Sequence, residues 1–214
     1  MSKNPRRGAN EWPRPTTFTG HRLRRGLFSI WFACMAFLIA PCGSAAADVA
    51  LVDLNDASAI AAWTTINDPV MGGLSTSSIT LGDGGLVFSG YISLENNGGF
   101  ASARSPQDPD IGLKATGAKS LRVRALGDGK TYVMKVGAAG QPWSYIQRFS
   151  TEAAVQRVYD LPIEGFQAVG MRLDPAPYAP QTLDPSSISQ VAIYILDKQQ
   201  GPFTLTISAI DATA

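Results

Sequence analysis

Apolar and polar residues alternate in short runs along most of the chain after residue 85. Leu121, Val123 and Ala125 point one way in LRVRAL while Arg122 and Arg124 point the other. TYVMKV places Tyr132, Met134 and Val136 on one face, and SYIQRF, 144 to 149, repeats the pattern. LVFSGYISLE, 86 to 95, is long enough for one long or bulged strand. VAIYIL, 191 to 196, is apolar on both faces, as a covered central strand would be. In FTLTISAI, Phe203, Leu205, Ile207 and Ala209 alternate with threonines and serine. Gly and Pro fall at nearly every boundary. No stretch has the period of a long amphipathic helix, although Ala57 to Trp63 and Thr151 to Gln156 allow a turn or two. These patterns predict an all-β sandwich of about eight to ten strands.

The first 47 residues follow a different rule. Seven basic residues and one acid, Glu11, precede Leu27 to Ala40, an uncharged apolar run of 14 residues. Small residues follow, ending at Ala47. That order reads as a secretory signal, with one domain from 48 to 214. The apolar run falls short of the roughly 20 residues of a spanning helix, so an uncleaved membrane anchor is the second reading. Arg24 and Arg25 also fit a twin-arginine signal, and Cys42 a lipidation site. The expected location is periplasmic or extracellular.

Removing the leader changes the charge picture. Residues 48 to 214 hold 11 basic and 16 acidic residues, a net charge of −5, which argues against nucleic-acid binding. His21, Cys34 and Cys42 all lie in the leader, so the domain has no histidine or thiolate chemistry. Asp68, Glu95 and Asp197 are candidate carboxylates for acid–base work, but no motif joins two of them. The expectation is a protein that is not an enzyme and has no cofactor.

Two glycine-rich corners are the candidate sites. In NDPVMGG, Asp68 caps a proline turn and Gly72 and Gly73 allow close approach. Met71 reads as a plug in the core's end, or the corner is a binding loop with Asp68 and Ser75 as polar contacts. In ENNGGFASAR, Asn96 and Asn97 offer amides and Gly98 and Gly99 admit a close neighbour. Phe100, Ser102 and Arg104 share a face. Arg104 either binds a ligand or pairs internally with Asp68 or Glu95. The two corners are expected to adjoin. GDGK, 127 to 130, reads as a type I′ hairpin turn with Lys130 and Tyr132 at the surface. Asp197 sits in the turn DKQQGP, where Arg104 or Lys198 could pair with it. Trp143 is the expected exposed aromatic, and APYAPQTLDP, 176 to 185, a surface loop able to cover a site. A calcium site remains open from the Asp, Asn and carbonyl ligands, without a DxDxDG run.

Trp63, NDPVMGGLS, FSGYISLENNGGFASAR, GDGKTY and ILDKQQGPFTLTI, in that order, resemble the complex I intermediate-associated protein 30 family. The pattern is kept less well from Ala153 to Asp184. The resemblance implies a jelly-roll β-sandwich of the galactose-binding-like type. It also implies a role like that of an assembly factor for the membrane complex that oxidises NADH. An exported domain would lie across the membrane from the NADH-oxidising arm. The expected function is a non-catalytic binding module that holds a protein partner near the membrane and assists assembly or stability of a complex. An exported module for a carbohydrate or small ligand is the alternative, and an enzyme without His or Cys a further one.

Overall fold

The computed structural model describes residues 48–138 and 140–214. The expected leader, with His21, Cys34, Cys42 and the cleavage point after Ala47, lies outside the described residues. In chain order the elements are β1 (Val49–Ala50), α1 (Ala57–Ala61), β2 (Thr64–Asn67), β3 (Thr76–Gly82), β4 (Gly85–Ile92), β5 (Ala101–Arg104), α2 (Asp110–Ala115), β6 (Ser120–Leu126), β7 (Thr131–Ala138), β8 (Ser144–Ser150), β9 (Gln156–Pro162), β10 (Gln167–Val169), β11 (Ile188–Ile195) and β12 (Gly201–Thr213). All strand pairs are antiparallel. One sheet runs β3-β4-β12-β6-β9 with β1 beside β12; the other runs β10-β8-β7-β11-β5-β2. The fold is the all-β sandwich that the alternation predicted, of the jelly-roll type that the resemblance implied, with more strands than expected.

The alternating positions meet between the sheets. Leu121, Val123 and Ala125 of β6 pack with Tyr132, Met134 and Val136 of β7 and Val191, Ile193 and Ile195 of β11 in one buried core. Trp63 joins it. The even positions of β11 explain why that strand reads apolar on both faces. Ala192 and Tyr194 form a second cluster with Val133, Ile146 and Val169, and Leu173 and Leu196 pack against it.

β12 departs from simple alternation. Phe203, Leu205 and Ile207 face the core, and then the register against β6 shifts between Ile207 and Ala209. A one-residue bulge inverts which face each later side chain takes. Ile210 and Ala212 are therefore buried, and Ala209 is not in the core as its spacing suggested.

The GDGK segment is not a hairpin. It carries the chain from β6 in one sheet to β7 in the other. Of its two central residues only Gly129 has a positive φ, of 89°, so the type I′ geometry is absent. Tyr132 is wholly buried rather than at the surface. Its hydroxyl donates to Asp128 Oδ2 at 3.0 Å, and Thr204 N of β12 donates to the same oxygen at 2.9 Å. Lys130 N donates to Asp128 Oδ1 at 3.0 Å. Asp128 thus ties a strand of each sheet to the crossover between them. Burial, and then the neighbouring Asp128 carboxylate, push the Tyr132 phenol above its ordinary range. Thr151 to Val155 also form turns, not a helix, before β9.

Asp128→Ala removes three acceptor contacts and strands the buried Tyr132 hydroxyl. It should cost about 2–3 kcal/mol in urea unfolding. Tyr132→Phe loses one hydrogen bond and should cost about 1 kcal/mol. Equal costs for the two variants would contradict a pin that spans both sheets.

Candidate functional site

The two glycine corners do meet, and a carboxylate is what joins them. Asp68 opens a single 3-10 turn, Asp68–Met71, with Pro69 at its second position and Gly72 in the left-handed region at φ 91°. The Asp68 side chain turns inward and is 1% exposed. Its Oδ1 accepts from Ser75 N at 2.8 Å. Its Oδ2 accepts from Gly99 N at 2.6 Å, Phe100 N at 3.2 Å and the Ser75 hydroxyl. Asn96 Nδ2 adds a bond to Gly72 O at 3.0 Å. Ser93 N donates to Ser75 Oγ at 3.0 Å, which extends the network to the end of β4.

This network explains the glycines. A Cβ on Gly73 would stand 2.5 Å from the Asp68 carboxyl carbon, and one on Gly98 would stand 2.7 Å from Asp68 Oδ2. Both positions must be bare for the carboxylate to reach its donors. Burial opposes the Asp68 charge, but the bonds from Ser75, Gly99 and Phe100 outweigh it and hold the carboxyl below the usual carboxylate range. The expected pair between Asp68 and Arg104 does not form, because backbone donors occupy the carboxylate. Glu95 does not take its place: it is exposed, and no salt bridge reaches Arg104 among the described residues.

The turn pushes its apolar residues outward. Val70 is 72% exposed and Met71 71%, so Met71 does not plug the core. Both line a groove of about 560 Å³. Asn97, Gly98, Gly99 and the half-buried Phe100 continue that wall. Met171, Arg172 and Leu173 form the opposite wall, and Met171 is 87% exposed. Arg104 and Tyr194 line the floor on the outer face of the second sheet, and Leu196, Asp197 and Lys198 close one end.

The floor is cationic. Arg104 Nε donates to Ser102 Oγ at 3.2 Å, and the guanidinium carbon lies 5.2 Å from the Tyr194 ring centre. Lys135 Nζ lies 5.5 Å from the same centre. Burial, and then the Arg104 charge, lower the Lys135 pKa. Asp197 pairs with neither Arg104 nor Lys198. It accepts from Arg148 Nε at 2.9 Å and Arg148 Nη2 at 3.0 Å, and this pairing keeps its carboxyl acidic.

Of the expected site residues, Asp68, Gly73 and Ser75 are interior to the corner and support it. Met71, Asn97, Gly98, Gly99, Phe100, Arg104 and Asp197 line the groove. Trp143 does not. It is half-buried, with its ring edge-on to Tyr178 at 6.4 Å. The loop from 176 to 185 is not a loose cover either, since Ala176, Ala179 and Leu183 enter the core. The wall comes from the residues just before it, 171 to 173, which the sequence offered only as an apolar Met171 beside Gly170. Tyr194 was hidden in a strand read as covered on both faces. Among the described residues no group of three or more His, Cys, Asp or Glu side chains is placed to hold a metal.

A β-sandwich whose Asp68 and Asp197 carboxylates are engaged, beside an open and partly apolar groove, has the build of a binding module. The chain belongs to the complex I intermediate-associated protein 30 family, whose sequence model matches residues 52–207. No curated protein matches the chain. Solved structures of similar fold include the family 11 carbohydrate-binding module of the cellulosomal cellulase Lic26A-Cel5E of Clostridium thermocellum. It has a TM-score of 0.55 and 13% identity over 80% of this chain and 96% of that one. The module from the same organism in complex with a β-1,3-1,4-mixed-linked tetrasaccharide has a TM-score of 0.54 and 13% identity over 80% and 98%. At that identity the likeness is one of fold.

Asp68→Asn should cost about 2–4 kcal/mol, because its amide NH2 would face backbone N–H donors that it cannot satisfy. The lowered Asp68 pKa sets the pH dependence. Its stabilisation is complete above the unfolded carboxylate value of about 3.9 and is lost as pH falls through the lower folded value. Urea titrations of both proteins should show their stability gap narrowing below about pH 4. A gap that stays constant from pH 7 to pH 3 would show that the charge is not what stabilises the corner.

Proposed function

We propose that this protein is a non-catalytic binding module whose groove receives a segment of a protein partner. The exposure of Val70, Met71 and Met171 on facing walls of one groove carries this reading. Apolar side chains gathered at a concave surface mark interaction sites. Methionine adapts its shape to a partner better than branched residues do. The engaged states of Asp68 and Asp197, and a domain without His or Cys, support a role other than catalysis.

The family's description supports a partner within a membrane-associated complex, whose assembly or stability the module assists. The basic and apolar leader supports export, with the domain in the periplasm or outside the cell, or held at the membrane if the leader stays uncleaved. Glycan binding is the second reading, favoured by the sandwich shared with a tetrasaccharide-binding module. The Tyr194 ring, with Arg104 and Lys135 against it, and Trp143, packed on Tyr178, are less open to sugar stacking than the groove's walls are to apolar contact.

A photocrosslinker at Met71 should trap a protein partner in the protein's own cells. The same group at Val158, exposed on the other sheet, should not. Met71→Ser together with Met171→Ser should leave the thermal midpoint within about 2 °C, since both side chains are exposed, and should weaken capture at a crosslinker placed at Val70. Equal trapping from Met71 and Val158, or binding of a mixed-linked tetrasaccharide without any protein adduct, would overturn the protein-partner reading. N-terminal sequencing of the cellular protein should begin near Asp48.

A further inference from the structure

The groove carries a charge that its apolar walls do not explain. The domain from 48 to 214 is acidic overall, with 16 acidic and 11 basic residues. The groove is the reverse. Arg104, Arg172 and Lys198 line it, and Lys135 stands beside its floor on β7. Its lining acid, Asp197, is held by Arg148 from outside the lining. None of the four cations has a carboxylate within salt-bridge distance among the described residues.

Arg104 and Lys135 are the informative pair. They reach in from β5 and β7, the two strands that flank β11, and both lie against the ring of Tyr194. In the register, Lys135 and Arg104 are both opposite Ala192, one from each side. Their charges oppose each other and are partly removed from water, as the lowered Lys135 pKa also shows. The electron-rich ring face offsets part of that repulsion. It supplies no formal negative charge. A carboxylate placed between or above them would be attracted by both, and a guanidinium can grip it with two parallel hydrogen bonds.

We infer that the segment bound in this groove carries acidic side chains among its apolar ones, and that Arg104 and Lys135 hold those carboxylates beside Tyr194. This rests on the reading of the groove as a protein-binding site and names the chemistry of the partner. The apolar walls of Val70, Met71 and Met171 fit the leucine- or phenylalanine-like positions of the segment, and the cationic floor fits its acids. Opposite potentials would also speed encounter and discriminate against basic segments.

The test measures binding of three probes to the full chain by isothermal calorimetry at low and physiological salt. The first is a capped octapeptide of alternating leucine and glutamate. The second replaces every glutamate by glutamine. The third is a tetramer of galacturonic acid, which has carboxylates without apolar side chains. The acidic peptide should bind at least tenfold more tightly than the neutral one, with the difference shrinking as salt rises. Arg104→Gln with Lys135→Gln should remove that difference, whereas Arg104→Lys with Lys135→Arg should keep most of it. Arg124→Gln, exposed on the other sheet, should leave it unchanged. Thermal melts of each variant check folding.

Equal binding of both peptides would overturn the acidic specificity and leave the protein-binding reading standing. Tight binding of the uronic acid tetramer with no peptide bound would overturn both in favour of an acidic glycan. Failure of all three probes would overturn the acidic inference, while the crosslinking at Met71 would still judge the protein-binding reading by itself.

Discussion

A single buried carboxylate sets the geometry of the groove. Among the described residues no cation pairs with Asp68. Its charge is held by three backbone N–H groups and one hydroxyl, drawn from Ser75 on one side and from Gly99 and Phe100 on the other. A donor set of this kind has direction, because each N–H must point at an oxygen. The Asp68–Met71 turn and the Gly98–Phe100 corner are therefore fixed against each other, not merely near each other. Val70 and Met71 are exposed as a consequence. With the polar side chain of the turn inside, its apolar ones are left on the outside.

A second polar residue does comparable work between the sheets. Asp128 sits where the chain crosses from β6 to β7 and accepts from strands on both sides. The hydrophobic core holds the sheets together without direction. Asp128 adds a directional tie beside it, at one end of the sandwich. In both cases an aspartate is engaged with neutral donors. Surface ion pairs such as Arg157 with Glu152 are exposed and contribute little by comparison.

Strands were legible because their signal is local. The alternation in 121–126, 131–136 and 144–149 needs only neighbouring residues, and each run is a strand in the structure. The glycine corners were legible as corners for the same reason. What joined them was not. An aspartate that serves backbone N–H groups looks, in sequence, like any aspartate in a proline turn, and an arginine nearby invites a pair that does not exist. Tyr194 was lost because an outer face covered by Leu173, Leu196 and two long cations reads as apolar burial. The GDGK turn was misplaced because a hairpin and a crossover between sheets use the same short glycine-rich residues. Only the partners of the flanking strands distinguish them. The resemblance carried the fold further than periodicity could, since it spans segments that periodicity treats separately.

The pairing of β1 with β12 has its own consequence. Val49 lies opposite Ala212, so the first and last strands of the domain are neighbours. Topologically the sandwich is nearly a ring, cut at one place. The groove draws its residues from Ile66 to Lys198 and uses none from either side of the cut. A short linker could close that cut and a new one be opened in a surface turn such as Gly82 to Gly85 without touching the groove. The order in which the chain is synthesised is thus separable from the surface that it presents.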